Sequence, residues 1–189
     1  MCQPFLTIVT RCSKGRESLL SRNKHSVHCQ TDPDLEHILI PYAGKTLLEA
    51  NSSFETITHK IQGQYVFILD DDDYISYTHF VEELKQFTRL KNYPDVIICK
   101  MARLGTLYPQ NRFWQKPPAK CHIGSPCFIV KKMAWKAHIP HFAKPSCGDF
   151  HFINHLYLSG YDFTWWDTVI AKVDHIGGKD RTHAKKHSN

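Results

Sequence analysis

Short apolar runs alternate with amphipathic stretches through the first hundred residues. Residues 5–9 (FLTIV), 37–40 (HILI), 65–69 (YVFIL) and 95–99 (DVIIC) are brief, rich in β-branched and aromatic residues and bounded by polar sequence. Such runs predict strands buried on both faces. Between them, residues 13–29, 45–61 and 78–89 carry apolar positions at helical spacing, and in the last of these Phe80, Val81, Leu84 and Phe87 share one face. Strand and helix alternating with short connections predict an α/β fold with a mostly parallel sheet covered by helices. Beyond residue 100 the pattern loosens. Gly105, Pro109, Pro117, Pro118 and Gly124 break residues 104–124 into a loop or a short antiparallel excursion. Residues 127–132 (CFIVKK) then read as a strand leading into a helix around Trp135, residues 148–160 as a helix ending at glycine, and residues 168–173 (TVIAKV) as a last strand. Residues 179–189 form a polar, basic tail expected to be mobile.

The third apolar run ends in Asp70, Asp71, Asp72 and Asp73. Four acids leaving a buried strand together sit at the carboxyl edge of the sheet, where open α/β folds bind ligands. Like charges this close repel, and a divalent cation with hard oxygen ligands, typically Mg or Mn carrying a phosphorylated substrate, relieves the repulsion. A solvated acidic turn capping the next helix is the plainer alternative.

Composition changes the picture in three ways. The 189 residues suit one domain with a proper core. The seven cysteines form an odd set without a CxxC pair, so neither a disulfide framework nor a zinc ribbon is signalled, and reduced, cytoplasmic thiols are expected. No apolar run approaches the ~20 residues that span a bilayer. Charge is distributed unevenly: residues 1–95 hold 10 Lys/Arg against 13 Asp/Glu, residues 149–189 hold 5 against 5, and residues 96–148 hold 9 against none. That middle segment interleaves its bases with Tyr108, Phe113, Trp114, Phe128, Trp135 and Phe142. Cations attract phosphates and aromatic faces stack on unpaired bases, so a nucleic-acid surface is one reading. Core aromatics with solubilising lysines is the other.

The order of these pieces resembles the inverting glycosyltransferases of the large family 2. The resemblance runs over residues 4–178 through FLTIVTR, HSVHCQTDPDLEHILI, GQYVFILDDDD, GSPCFIVKK, GDFHFINHL and DHIGG. It implies a single-domain A-type glycosyltransferase fold, Rossmann-like, with residues 1–100 as the nucleotide-sugar half and 101–178 as the acceptor half, including the antiparallel excursion. It implies a nucleotide-sugar donor, a UDP-sugar foremost, and an Mn or Mg ion. By the family's motif Asp70 sits near the ribose, with Asp71 beside it less firmly assigned; Asp72 binds the metal, and His175 completes its shell. Thr10 and Arg11 fall where the nucleotide pocket begins and Asn51 in a donor-binding region, although Arg11 could equally pair with an acid and Asn51 lie on a helix surface. Asp149 falls at the catalytic base, with Gly148 where the family has a first acid. As a plain helix N-cap, Asp149 would also be in good company. The chain departs from the family after the second strand, where Pro41, Tyr42, Ala43 and Gly44 replace an Asp-Asp-Gly-Ser type turn, which puts base reading by that acid in doubt.

For the acceptor, the acid-free segment suggests a polyanion, with Arg103, Arg112, Trp114 and Lys116 as contacts. The leading expectation is 5-hydroxymethylpyrimidine in DNA, a modification made by viral glycosyltransferases, which would place the protein in an infected cell's cytoplasm. The alternatives are a saccharide, a cell-envelope precursor or a protein side chain. Outside this class stand an Mg-dependent phosphohydrolase and a non-enzymatic nucleic-acid-binding module; the first lacks its expected lysine and acidic partners, and the second leaves the clustered acids without purpose.

Overall fold

The computed structural model describes residues 3–42 and 46–173. Its elements follow the chain as β1 (Leu6–Ser13), α1 (Glu17–His28), β2 (Leu35–Tyr42), α2 (Leu47–Thr56), β3 (Tyr65–Ile68), β4 (Asp73–Ile75), α3 (Phe80–Leu90), β5 (Val96–Arg103), β6 (Thr106–Tyr108), β7 (Phe128–Lys131), α4 (Lys132–His138), α5 (Gly148–Leu158) and β8 (Phe163–Val173). Among the described residues these strands form one eight-stranded sheet in the order β2-β1-β3-β7-β5-β8-β4, with β6 added to β5. β1 pairs parallel with both β2 and β3, and β5 pairs parallel with β8. β7 runs antiparallel between β3 and β5, while β4 and β6 run antiparallel to β8 and β5. Strands β1, β2, β3, β5 and β8 therefore point one way, as the alternation predicts.

The apolar runs are buried because they lie in the middle of the sheet. Leu6, Ile8, Val9, Phe67, Ile68, Ile97 and Ile129 are all fully enclosed. α3 buries Phe80, Val81 and Leu84, and Phe87 stacks on Trp166 of β8 with ring centroids 5.2 Å apart. α2 starts at Thr46 with a capping box, the Glu49 amide donating to the Thr46 hydroxyl at 3.2 Å and the Glu49 carboxylate reaching back to the Thr46 amide.

Two features differ from the sequence expectation, and a third, the strand order, is one the sequence left open. The helices are shorter than the periodic stretches that contain them; residues 57–60 after α2 form turns. β8 begins at Phe163, five residues earlier than expected, because it pairs with β5 along most of its length. β3 does not lie beside β5. The later strand β7 comes between them, since residues 104–127 carry the chain back across the sheet. Their first step is a tight hairpin: Leu104 and Gly105 both have positive φ (48° and 79°), the two-residue turn that suits the twist of paired strands.

Candidate active site

Parallel strands β1 and β3 end side by side, so Arg11 and Asp70 emerge together. The Arg11 guanidinium grips the Asp70 carboxylate with two bonds, Nε to Oδ1 at 2.7 Å and Nη2 to Oδ2 at 2.5 Å. Its Nη1 donates to Asn51 Oδ1 at 2.9 Å, and the cation lies 4.7 Å over the Phe54 ring. Asn51 is buried on α2 and donates from Nδ2 to the Lys144 carbonyl at 2.7 Å. One arginine thus joins the first strand, the acidic turn and α2, and α2 in turn holds the segment that precedes α5. Arg11 pairs with an acid, Asp70, and also lines the cleft described below.

The other three acids have different surroundings. Asp71 points inward, accepting from the Ser13 amide at 2.5 Å and from Arg16 Nη1 at 3.0 Å. Asp72 faces the same Arg16 at 3.2 Å. Asp73 has left the turn and opens β4, opposite Val173. Burial holds the Asp72 and Asp73 carboxyls above the usual range; Asp70 adds to the effect in both, against the pull of Arg16 on Asp72 and of Arg11 on Asp73.

A cleft of about 530 Å³ opens here, lined by Arg11, Asn51, Asp70, Asp72, Asp73 and Asp149 among others. Asp149 lies in the first turn of α5 and is not its N-cap, which is Cys147. Its Oδ1 accepts from the Phe150 amide at 2.8 Å. Burial raises its pKa to about 6; the Phe150 amide and Arg11 oppose this, and Asp70 reinforces it. A helix N-terminus by itself favours the anion, and burial outweighs it here. Gly148 has a steric reason: a Cβ there would meet the Phe142 carbonyl at 2.3 Å and Asn51 Nδ2 at 2.8 Å. An acid in that position is therefore excluded, chiefly by the close approach of Phe142.

The structure brings Arg11, Asn51, Asp70, Asp72, Asp149 and Arg103 to one cleft. Thr10 and Asp71 are buried beneath it. The Thr10 hydroxyl donates to the Leu69 carbonyl at 2.7 Å and lies 2.8 Å from His37 Nε2, a ring whose pKa burial lowers to about 4. Arg112, Trp114 and Lys116 do not line the cleft. Trp114 packs against the core with Lys100 Nζ 4.6 Å over its ring, Arg112 lies over Phe113, and Lys116 borders a small hollow beside Phe113 and His122. His175, Ala43, Gly44, the DHIGG segment and the basic tail lie outside the described residues.

Sequence reasoning missed Asn23 and Arg16. Asn23, buried on α1, places Nδ2 within 3.1 Å of the carbonyls of Leu69, Asp70 and Asp73 and so shapes the acidic turn. Its signal was a polar residue on the inward face of a helix. A second hollow of about 590 Å³, between α1 and β2 beside Lys24, His28 and His37, contains no carboxylate. Chemistry and not volume distinguishes the cleft.

No family model and no curated protein matches the sequence. Solved structures do match the fold. The crystal structure of S. aureus TarS 1–349 superposes with a TM-score of 0.70 at 17% identity, covering 90% of this chain and 60% of that one. Its complex with UDP gives 0.70 at 16%, over the same shares, and its complex with UDP-GlcNAc gives 0.65 at 16%, over 92% and 59%. The chain spans about 60% of the length of these structures. At such identity the likeness fixes the fold, a GT-A-like, Rossmann-type α/β domain.

Proposed function

We propose that the protein is a metal-dependent, inverting glycosyltransferase that moves a sugar from a nucleotide-sugar, a UDP-sugar in the first instance, to an acceptor hydroxyl. One observation carries this reading: the acidic turn and Asp149, distant in sequence, line one cleft. The fold adds support, because TarS has been crystallised in it with UDP and with UDP-GlcNAc.

Residues 1–100 supply the donor side. Arg11, locked to Asp70 and Asn51, forms a fixed wall for the nucleotide. Asp72, with His175, would hold Mg or Mn. The fit rests on the donor set: hard carboxylate oxygens, with Asp72 and Asp73 raised by burial and by like charge that a cation would relieve. Among the described residues the acids do not converge as a three-ligand cage, which matches an ion held by one or two carboxylates plus substrate phosphates. When bound, such an ion neutralises charge on a departing diphosphate. Asp149 takes the proton of the acceptor hydroxyl as its oxygen bonds to the anomeric carbon, while the bond to the diphosphate breaks on the opposite face. A carboxylate with a pKa of about 6 is ionised at neutral pH and still basic enough to accept that proton.

Residues 101–178 supply the acceptor side. The first acceptor we propose is 5-hydroxymethylpyrimidine in DNA, on the strength of nine cations and no acids in residues 96–148. A saccharide or cell-envelope precursor is the second, favoured by the cleft itself: of Arg103, Arg112, Trp114 and Lys116, it takes in Arg103 alone. The test is mass spectrometry after incubating the protein with UDP-sugars and Mn, with or without EDTA, against hydroxymethylated DNA and a saccharide panel. One sugar added to one acceptor class, and lost with EDTA, is the expected result. Sugar released only to water, whatever the acceptor, would turn the reading to a hydrolase; DNA binding with no use of any donor would turn it to a binding module.

A further inference from the structure

We propose that His138, His141 and His155 form a binding site for a divalent transition ion of the zinc class, separate from the acidic cleft. His138 closes α4, His141 sits in the helical turn Ile139–Phe142, and His155 lies on α5. Their ring nitrogens all come within 4.8 Å of one another, the one such trio of His, Cys, Asp or Glu among the described residues.

The details suit a metal. His155 Nε2 stands 3.1 Å from His138 Nδ1. Two nitrogens bound to one tetrahedral zinc at ~2.0–2.1 Å lie about 3.3 Å apart, so this pair needs only a slight spreading. In the absence of an ion a shared proton joins the two rings, and an ion would displace it. The remaining nitrogen of His138, Nε2, is 2.8 Å from the Tyr161 hydroxyl. That hydrogen bond sets the ring orientation and, with the hydroxyl accepting, leaves the Nδ1 lone pair facing the cluster, the arrangement by which outer partners orient metal-bound imidazoles. His141 stacks on His155 with centroids 3.5 Å apart; binding requires it to swing out of the stack about its own side-chain bonds. All three rings are half-buried, so the swing disturbs no core packing.

The donor set selects the ion. Three imidazoles without a carboxylate favour zinc, cobalt, nickel or copper over magnesium, calcium or manganese. His155 lies six residues beyond Asp149, roughly 9 Å along the helix. The ion would therefore not touch the reaction; it would tie α4 and the turn to α5, the helix that presents Asp149.

The test uses the full chain stripped with EDTA and titrated with cobalt and then zinc, in excess magnesium so that carboxylate sites are occupied. Expected are one equivalent of cobalt with visible bands of a four- or five-coordinate nitrogen site, no thiolate charge-transfer band, displacement by zinc, and a zinc-dependent rise in Tm. His141→Ala and His155→Ala should each weaken binding at least 100-fold, and Tyr161→Phe about 10-fold, in line with an outer-partner effect. Asp72→Asn should retain the cobalt spectrum. Unchanged binding in both histidine variants, a thiolate band, loss in Asp72→Asn or no binding at all would overturn the site. Where a histidine variant fails to fold, imidazole NMR of the unaltered protein decides: zinc must shift the three named rings, and shifts confined to other histidines refute the proposal.

Discussion

The two walls of the cleft are built on different principles. Along the acidic turn, the polar groups are held by β1, by α1 and by the turn between them. Arg11 grips Asp70, Arg16 and the Ser13 amide hold Asp71, and Asn23 gathers three carbonyls. Elsewhere the wall comes from connecting segments around Tyr108, Ser125, Pro126 and Cys147. Their backbone includes left-handed Leu104, Gln115, Cys121 and Cys147. A sheet edge holds its side chains in fixed register, while loops supply the more variable wall.

The comparison can be broken at several points. The largest effect belongs to Asp149→Asn. Turnover should fall by about 10²–10⁴, while donor affinity measured by calorimetry stays within about twofold; full turnover would remove Asp149 as the base. In the unaltered protein kcat/KM should fall as pH drops through about 6, because protonated Asp149 cannot accept the hydroxyl proton. Arg11→Met leaves Asp70 with an uncompensated charge and should cost about 3–5 kcal/mol in a urea melt. Arg112→Met, at an exposed position outside the cleft, should stay within roughly 0.5 kcal/mol. Equal losses would erase the contrast between the tightly bonded turn and the exposed segment.

Asp149→Asn should also stabilise the fold. The folded pKa of about 6 lies above the ordinary value of 3.8, so burial penalises the anion at neutral pH. Removing the charge should add on the order of 1–3 kcal/mol at pH 7. That gain should shrink as pH falls from 6 and vanish below about 3, where folded and unfolded chains are both protonated. Gly148→Ala should cost about 1–3 kcal/mol, because the added methyl meets the Phe142 carbonyl, and denaturant midpoints will show it. The smallest effect sharpens the choice of acceptor: Arg112→Glu with Lys116→Glu should weaken DNA binding and reduce its salt slope by about one for each phosphate left without its cation. A saccharide acceptor should not respond.

The strands were legible because five buried apolar residues followed by four acids leave few other arrangements. The Leu104–Gly105 hairpin was foreshadowed by glycine, and α3 by its spaced apolar face. Asp149 could be picked out only through the order of motifs, since its local sequence reads equally well as a helix cap. Trp114 shows the opposite case. Its place in a basic, aromatic stretch suggested a base-stacking surface, whereas the fold packs it against the core beneath Lys100.

The sequence by itself determined the places of β1, β2, β3, β5, β7 and the main helices, though not β4, and that four carboxylates follow the third strand, because periodicity and burial act over a few neighbouring residues. Only the tertiary structure decided that β7 separates β3 from β5, that Arg11 joins Asp70 to Asn51, that Asn23 shapes the acidic turn, and that three histidines meet beside α5. Those outcomes depend on which surfaces pack together after distant segments have closed on one another, and pairing over such separations leaves no periodic trace along the chain.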